Sequence, residues 1–308
     1  MTQDYNFILN LFFSVSTYLL ERMVDKFGDC CGLPGPQGKR GQQGEVGPPG
    51  KKGKDGEKGA SGLFDFCRWF GPDMLRLIRK NGDCSYYFDT EKDFIMKEKK
   101  IAGFKTHSDR KLNAESRKTS VKKVKLDPGH GFGVTFKDSL FEINDITSLA
   151  LSGYSYSLLV ITFKMDESPL KEEFIISDKE LFRGLSIDSE SLNIYGATER
   201  PLKLKYIPGK WITIGIQWTC YNNNRQGYYF LSQEITPEMG TFTTAKIKKE
   251  SRKEKLYLGA LYDGRQSWSG CLAVLDIIHI YEPQEKKYPE HFMSLIVADH
   301  CMRVNGYD

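Results

Sequence analysis

Lysines are the residues of this chain whose spacing most suggests chemistry. Val121-Lys122-Lys123-Val124-Lys125-Leu126 sets two adjacent cations, a spacer and a third, and Lys246-Ile247-Lys248-Lys249 is a second cluster. Closely spaced ammonium groups can follow the sulfates of a polyanion. Between Lys97 and Lys125 there are eleven Lys or Arg against three acids, a local +8 in a chain of 308 residues whose net charge is only +4. Lys122, Lys123 and Lys125 are therefore the candidate polyanion-binding residues, and the competing reading is a solvated loop kept soluble by its lysines. Other chemistry is poorly supplied. His107, His130, His279, His291 and His300 have no HxxxH or HxH spacing, and the seven cysteines form no CxxC pair, so zinc is not expected. Gly129-His130-Gly131-Phe132-Gly133 precedes a strand rather than opening a helix, which removes the helix N-terminus a phosphate would need. There is no Gly-x-Ser-x-Gly elbow. The chain is expected not to be an enzyme.

The elements that position these residues begin with a period of three. Gly32, Gly35, Gly38, Gly41, Gly44, Gly47, Gly50, Gly53, Gly56, Gly59 and Gly62 hold an unbroken Gly-X-Y register that ends at Phe64. Three polyproline-II strands can wind together only if every third residue lacks a side chain, because the axis has no room for a Cβ atom. A flexible glycine linker does not keep that register among Lys, Glu and Pro. Residues 32–64 are thus predicted to form a collagen triple helix, a rod on the order of 100 Å long, in a homotrimer or heterotrimer. Pro34 and Pro49 occupy the third position of their triplets, where collagens carry hydroxyproline. Cys30 and Cys31 abut the rod. Neighbouring cysteines seldom bond to each other, since their Cβ vectors diverge. Adjacent cysteines at such a boundary resemble the interchain disulfide knots of collagens.

Residues 1–31 are read as a hydrophobic helix with two open roles. Tyr5, Ile8, Phe12, Val15 and Leu19 follow the 3-4 spacing of a coiled-coil seam that would register three strands. The same uncharged stretch, residues 5 to 20, also reads as a signal peptide or signal anchor, although Met1 to Asn6 carry no basic residue. Residues 65–126 are expected to be a helical neck and a basic connecting segment. Gly71-Pro72-Asp73 starts a helix, Asn81-Gly82 ends it, and Cys67 and Cys84 bracket it as an intrachain bridge.

From Phe132 the period changes to two. Phe132–Phe136, Leu158–Phe163, Phe174–Ile176, Leu185–Ile187, Leu192–Tyr195, Trp211–Trp218, Tyr228–Leu231, Leu256–Leu258 and Leu272–Tyr281 are short β-branched or aromatic runs separated by Gly, Asn, Pro or Asp turns. Ile212, Ile214, Ile216 and Trp218 fall on one face of their run. Many short strands with few helices predict an all-β sandwich or jelly roll over residues 127–308. A last helix is placed at about Pro289 to Ala298, with Phe292, Leu295 and Ile296 on its packing face.

Gly209-Lys210-Trp211, Gly227-Tyr228-Tyr229-Phe230, Leu256-Tyr257-Leu258-Gly259-Ala260 and Trp268-Ser269-Gly270-Cys271-Leu272, in that order, resemble the second half of laminin-G-like and concanavalin-like jelly rolls. Gly259-Ala260 departs from the double glycine usual there. The resemblance implies that Cys271 bonds to Cys301, leaving Cys220 spare, and that calcium-dependent recognition on the rim is one way to use the domain. Asp263 and Asp276 are the carboxylates considered for calcium, and no other cofactor is expected.

The expected protein is an extracellular trimer, secreted or held as a type II membrane protein by its N-terminal segment. Its head would bind matrix or cell-surface ligands, glycosaminoglycans among them, while nucleic acid is not an expected partner. A building block of extracellular matrix or cuticle without a soluble ligand is the alternative.

Overall fold

The computed structural model describes residues 75–76 and 79–80 and most of the chain from Gly82 to Asn305, leaving out 148–154, 221–225, 234–237, 245–252, 282–288 and a few single positions. The hydrophobic N-terminal helix, the Gly-X-Y rod with its glycines and prolines, and Cys30, Cys31 and Cys67 lie outside the described residues. Those that are described belong to one compact unit, Gly71–Asp308.

That unit is a sandwich of two antiparallel sheets. Seventeen strands are described: β1 (Cys84–Tyr87), β2 (Phe94–Lys97), β3 (Lys100–Phe104), β4 (Ala114–Lys118), β5 (Lys122–Lys125), β6 (Phe132–Phe136), β7 (Leu140–Thr147), β8 (Ser155–Lys164), β9 (Glu173–Asp178), β10 (Gly184–Ile187), β11 (Leu192–Tyr195), β12 (Leu202–Leu204), β13 (Trp211–Cys220), β14 (Gln226–Ser232), β15 (Glu238–Thr243), β16 (Lys253–Leu258) and β17 (Gly270–Tyr281). Sheet A runs β15-β14-β13-β8-β17-β6-β5, with β1 also paired to β17, and sheet B runs β12-β11-β10-β9-β16-β7-β4-β3-β2. Sequence period built these strands. Ile212, Ile214, Ile216 and Trp218 are buried side by side in the interlayer core, opposed by Leu185, Ile187, Leu192, Ile194, Leu256 and Leu258 of sheet B. Aromatic rings close the β2–β4 end, where Phe88 stacks on Phe94 at 5.1 Å and Phe104 on Phe141 at 4.5 Å, and Phe88 meets Phe104 edge to face at 5.2 Å.

One helix of the described residues is long. It is α1 (Pro289–Asn305), which runs beyond the predicted Ala298 and lays Met293, Ile296 and Val297 against the outer face of sheet A. Gly215 makes room for it, since a Cβ there would meet Met293 at 2.7 Å and Val297 at 3.0 Å. Residues 75–76 and 79–80 are helical where the first short helix is expected from sequence.

The segment 65–126 differs from the expectation of a neck and a connector. Residues 84–125 supply β1 to β5, which hydrogen-bond into the same two sheets as the strands after 127. Polar and basic sequences hide β2, β4 and β5, which lie at or near a sheet edge, where one face meets water and no clean alternation is needed.

Candidate functional site

The three lysines singled out by spacing sit on β5, the edge strand of sheet A, and not in a loop. All four residues of β5 are exposed. Strand alternation divides the cations. Lys123 and Lys125 oppose Val134 and Phe132, on the side that faces the core, and Lys122 opposes Thr135 on the other side. Lys123 is already engaged, paired with Glu91 and placed 4.6 Å from the centre of the Phe132 ring. Lysines on a sheet edge, above all ones that point inward, also keep another strand from docking there.

The carboxylates considered for calcium do not converge. Asp263 lies in an exposed turn, its oxygens taken by the backbone and guanidinium of Arg265 at 3.0 and 2.6 Å. Asp276 is fully buried on β17 and receives Arg79 (2.9 Å), His300 Nε2 (2.9 Å) and the Ser85 hydroxyl. On the far side of the imidazole, Nδ1 lies 3.1 Å from the Thr162 hydroxyl, which is 2.8 Å from that of Thr213. Burial raises the carboxyl pKa, but Arg79, His300 and Ser85 outweigh it and hold Asp276 well below the usual carboxylate range. Burial keeps His300 below its ordinary value. This network ties α1 and residue 79 to β17, β8 and β13, and solvent does not reach its centre. Among the described residues no group of three His, Cys, Asp or Glu is placed to hold a metal ion.

The cysteines also differ from expectation. Cys84 is a free thiol inside the core, so the bridge to Cys67 is not formed at that end. Cys271 and Cys301 are free as well. Cys271 sits beside Lys164 of β8, whereas Cys301 hydrogen-bonds with Ser232 and Thr213 of β14 and β13. With strands about 4.8 Å apart this sets the two cysteines roughly 10 Å apart across the sheet, beyond the reach of a disulfide.

Sequence reasoning missed a polar cluster on the outward face of sheet B. Phe174, Ser186, Asn193 and Lys203 are direct cross-strand neighbours on β9, β10, β11 and β12. The next row reads Tyr257, Ser177, Gly184 and Tyr195 across β16, β9, β10 and β11. Glu172 Oε1 accepts from the Ser186 hydroxyl at 2.6 Å and the Tyr195 hydroxyl at 2.8 Å. Asn193 Nδ2 donates to Asp188 at 3.0 Å, and Lys203 Nζ stands 3.6 Å from the same carboxylate. Burial would raise the Asp188 pKa, but the Asn193 amide, the backbone N–H groups of Glu190 and Ser191 and the Ser191 hydroxyl pull it down to about 2. Burial and the hydrogen bond to Glu172 push the Tyr195 hydroxyl up. The one signal in the sequence is a polar residue in the middle of a short apolar strand, Ser186 in Gly-Leu-Ser-Ile and Asn193 in Leu-Asn-Ile-Tyr.

No family model and no curated protein matches this chain. Solved structures with a similar arrangement include Trypanosoma rangeli sialidase in complex with 2,3-difluorosialic acid (12% identity, TM-score 0.48, 72% of this chain and 33% of that one). A GH54 α-L-arabinofuranosidase mutant soaked with 4-nitrophenyl α-L-arabinofuranoside shows 7% identity, a TM-score of 0.48 and coverage of 67% and 51%. The binding domain of botulinum neurotoxin DC in complex with rat synaptotagmin II shows 12% identity, a TM-score of 0.46 and coverage of 72% and 52%. This chain spans about a third to a half of the length of those structures. The expectation that the chain is not an enzyme is corrected by these neighbours. Two of them are glycosidases.

Proposed function

We propose that this chain is an extracellular, trimeric, stalk-and-head recognition protein, in which a collagen-like rod gathers three jelly-roll heads and presents them to carbohydrate on matrix or cell surfaces. The observation that carries this reading is the eleven-glycine register, because a triple helix makes no sense for a single copy. Three heads on one rod turn a weak contact into a firm one by raising the effective concentration of the second and third sites. Oxygen-rich side chains grouped on an outward sheet face support carbohydrate as the ligand class.

Sedimentation of the full chain under native conditions, followed by binding to immobilised glycans, tests the proposal. A trimer that binds at least tenfold more tightly than its dissociated form to a dense glycan surface is the expected result. A monomer with a protease-sensitive middle would remove the stalk and the avidity together.

A second reading, sulfated glycosaminoglycan binding along β5, is favoured by the exposure of Lys122, Lys123 and Lys125. It predicts heparin retention that falls steeply with salt.

A further inference from the structure

Strand pairing gathers lysines from separate segments at one end of the sandwich. β2 and β3 meet there in a two-residue turn, Glu98-Lys99, which sets Lys97 directly opposite Lys100. The end of β4 lies against this hairpin, because the Thr119 hydroxyl donates to the Ile101 carbonyl at 2.9 Å. β5 begins at Lys122, opposite Thr135 of β6, and the turn after β6 carries Lys137. The Ser120 N–H ties that turn to the end of β4 by donating to the Ser139 hydroxyl at 2.9 Å. Lys97, Lys99, Lys100, Lys122 and Lys137 are all exposed, and among the described residues none of them has an ion-pair partner. Two acids of this corner are already engaged, Asp138 with Lys118 and Glu91 with Lys123. Glu115 and Glu142 lie further along sheet B, where Arg117 and Lys255 pair with Glu142. That leaves Glu98 facing the five unpaired lysines.

The hairpin tip also runs against what folding favours. Glu98 and Lys99 hold φ at 49° and 62°, a turn conformation that suits Asn and Gly and strains residues with longer side chains. Lys97 and Lys100 are like charges directly opposite each other, which destabilises a strand pair. Breaches of local rules at one place are the mark of a site kept for something other than stability. An anion between these lysines relieves the repulsion.

We infer that this corner binds a sulfated polysaccharide that crosses the end of the sandwich, held by Lys97, Lys99, Lys100, Lys122 and Lys137. The inference rests on the reading of glycosaminoglycan recognition by the head, and it moves the contact from the length of β5 to this corner. Placement selects the partner. Ile101 is in the core and pairs with Met96, so alternation turns Lys97 and Lys100 to the outer side of sheet B. Lys123 opposes the core residue Val134, so Lys122 turns to the outer side of sheet A. The two layers of a sandwich are about 10 Å apart, with Lys99 and Lys137 on the turns at its end. A flat membrane meets one side at a time, whereas a linear chain can bend over the end and present anions to both. Exposed large apolar side chains on β2 and β5 are Met96 and Val124, neither of them aromatic, so nucleic-acid bases have no ring to stack on there.

The full chain is to be tested for retention on heparin, with phosphatidylserine vesicles and single-stranded DNA as the other anionic probes. Heparin retention that weakens steeply with salt is expected, with an about tenfold or greater loss of affinity in Lys97→Gln/Lys99→Gln/Lys100→Gln. Lys123→Gln/Lys125→Gln, on the edge of β5, should change it by less than about threefold. Mass-spectrometric footprinting of lysine acetylation in the wild type is a readout independent of any variant: heparin should protect Lys97, Lys99, Lys100, Lys122 and Lys137. Loss in the β5 variant with the tip variant unaffected, and protection confined to β5, overturns the corner and leaves glycosaminoglycan recognition standing. Vesicles or DNA bound at the corner with no heparin retention overturns the polysaccharide as its partner. Absence of heparin retention at low salt overturns both the corner and the reading it rests on.

Discussion

Asp276 stays ionised inside the protein because three donors converge on it. Arg79 Nε and His300 Nε2 approach one oxygen at 2.9 Å each and the Ser85 hydroxyl the other. Such a group costs too much to bury without partners, so the partners are as fixed as the charge. His300 is held neutral by burial, with Nε2 donating to the carboxylate and Nδ1 accepting from Thr162. This predicts acid lability in two stages. Below pH 6.5, the ordinary histidine value, the unfolded chain takes up a proton that the buried ring resists. Below 3.8 the unfolded carboxyl binds one that folded Asp276 does not. Stability that is complete at pH 7 to 8 should therefore fall from about 6.5 downward and more steeply below about 4. Thermal melts of the wild type and of His300→Gln check it: the variant should lose the first stage, and a flat melting temperature from pH 7 to 5 in the wild type would refute the assignment.

At the scale of the element, β5 shows how a strand can be invisible to pattern. Lys-Lys-Val-Lys has no apolar face, yet it pairs along its length with β6 from Lys122–Thr135 to Lys125–Phe132. The pairing is possible because an edge strand needs only one neighbour, and its lysines blunt the other edge. Replacing Lys123 and Lys125 with Val is expected to leave the head folded and to make it self-associate, measured as concentration-dependent species in sedimentation at micromolar protein. If the double variant stays as dispersed as the wild type, the lysines do not protect the edge. β13 is the opposite case: its isoleucines alternate cleanly, and its core face is legible in the amino-acid sequence alone. Outward residues of β9 to β11 are not legible as a group. Their partners, such as Glu172 with Tyr195 and Asn193 with Asp188, are set by register, and a one-residue slip would send them all into the core.

For the whole molecule, the proposed rod fixes valency and the sandwich fixes what is presented. A side chain on the rod axis should therefore act at a distance. Gly47→Ala is expected to lower the melting temperature of the triple helix, followed by its circular dichroism, and to reduce binding to a dense ligand surface while leaving the head's own unfolding unchanged. Equal effects on rod and head would show that the two do not melt as separate units.

By itself the sequence determined the glycine register and the period-two strands from Phe132 onward, because steric exclusion at a triple-helix axis and alternation across a sheet are local rules. Tertiary structure alone decided that residues 84–125 join the two sheets, that Cys271 and Cys301 lie apart, and that Arg79, Asp276 and His300 meet. Those facts depend on which strands become neighbours. Arg79 and Asp276 stand 197 residues apart in the chain, and no local pattern carries that distance.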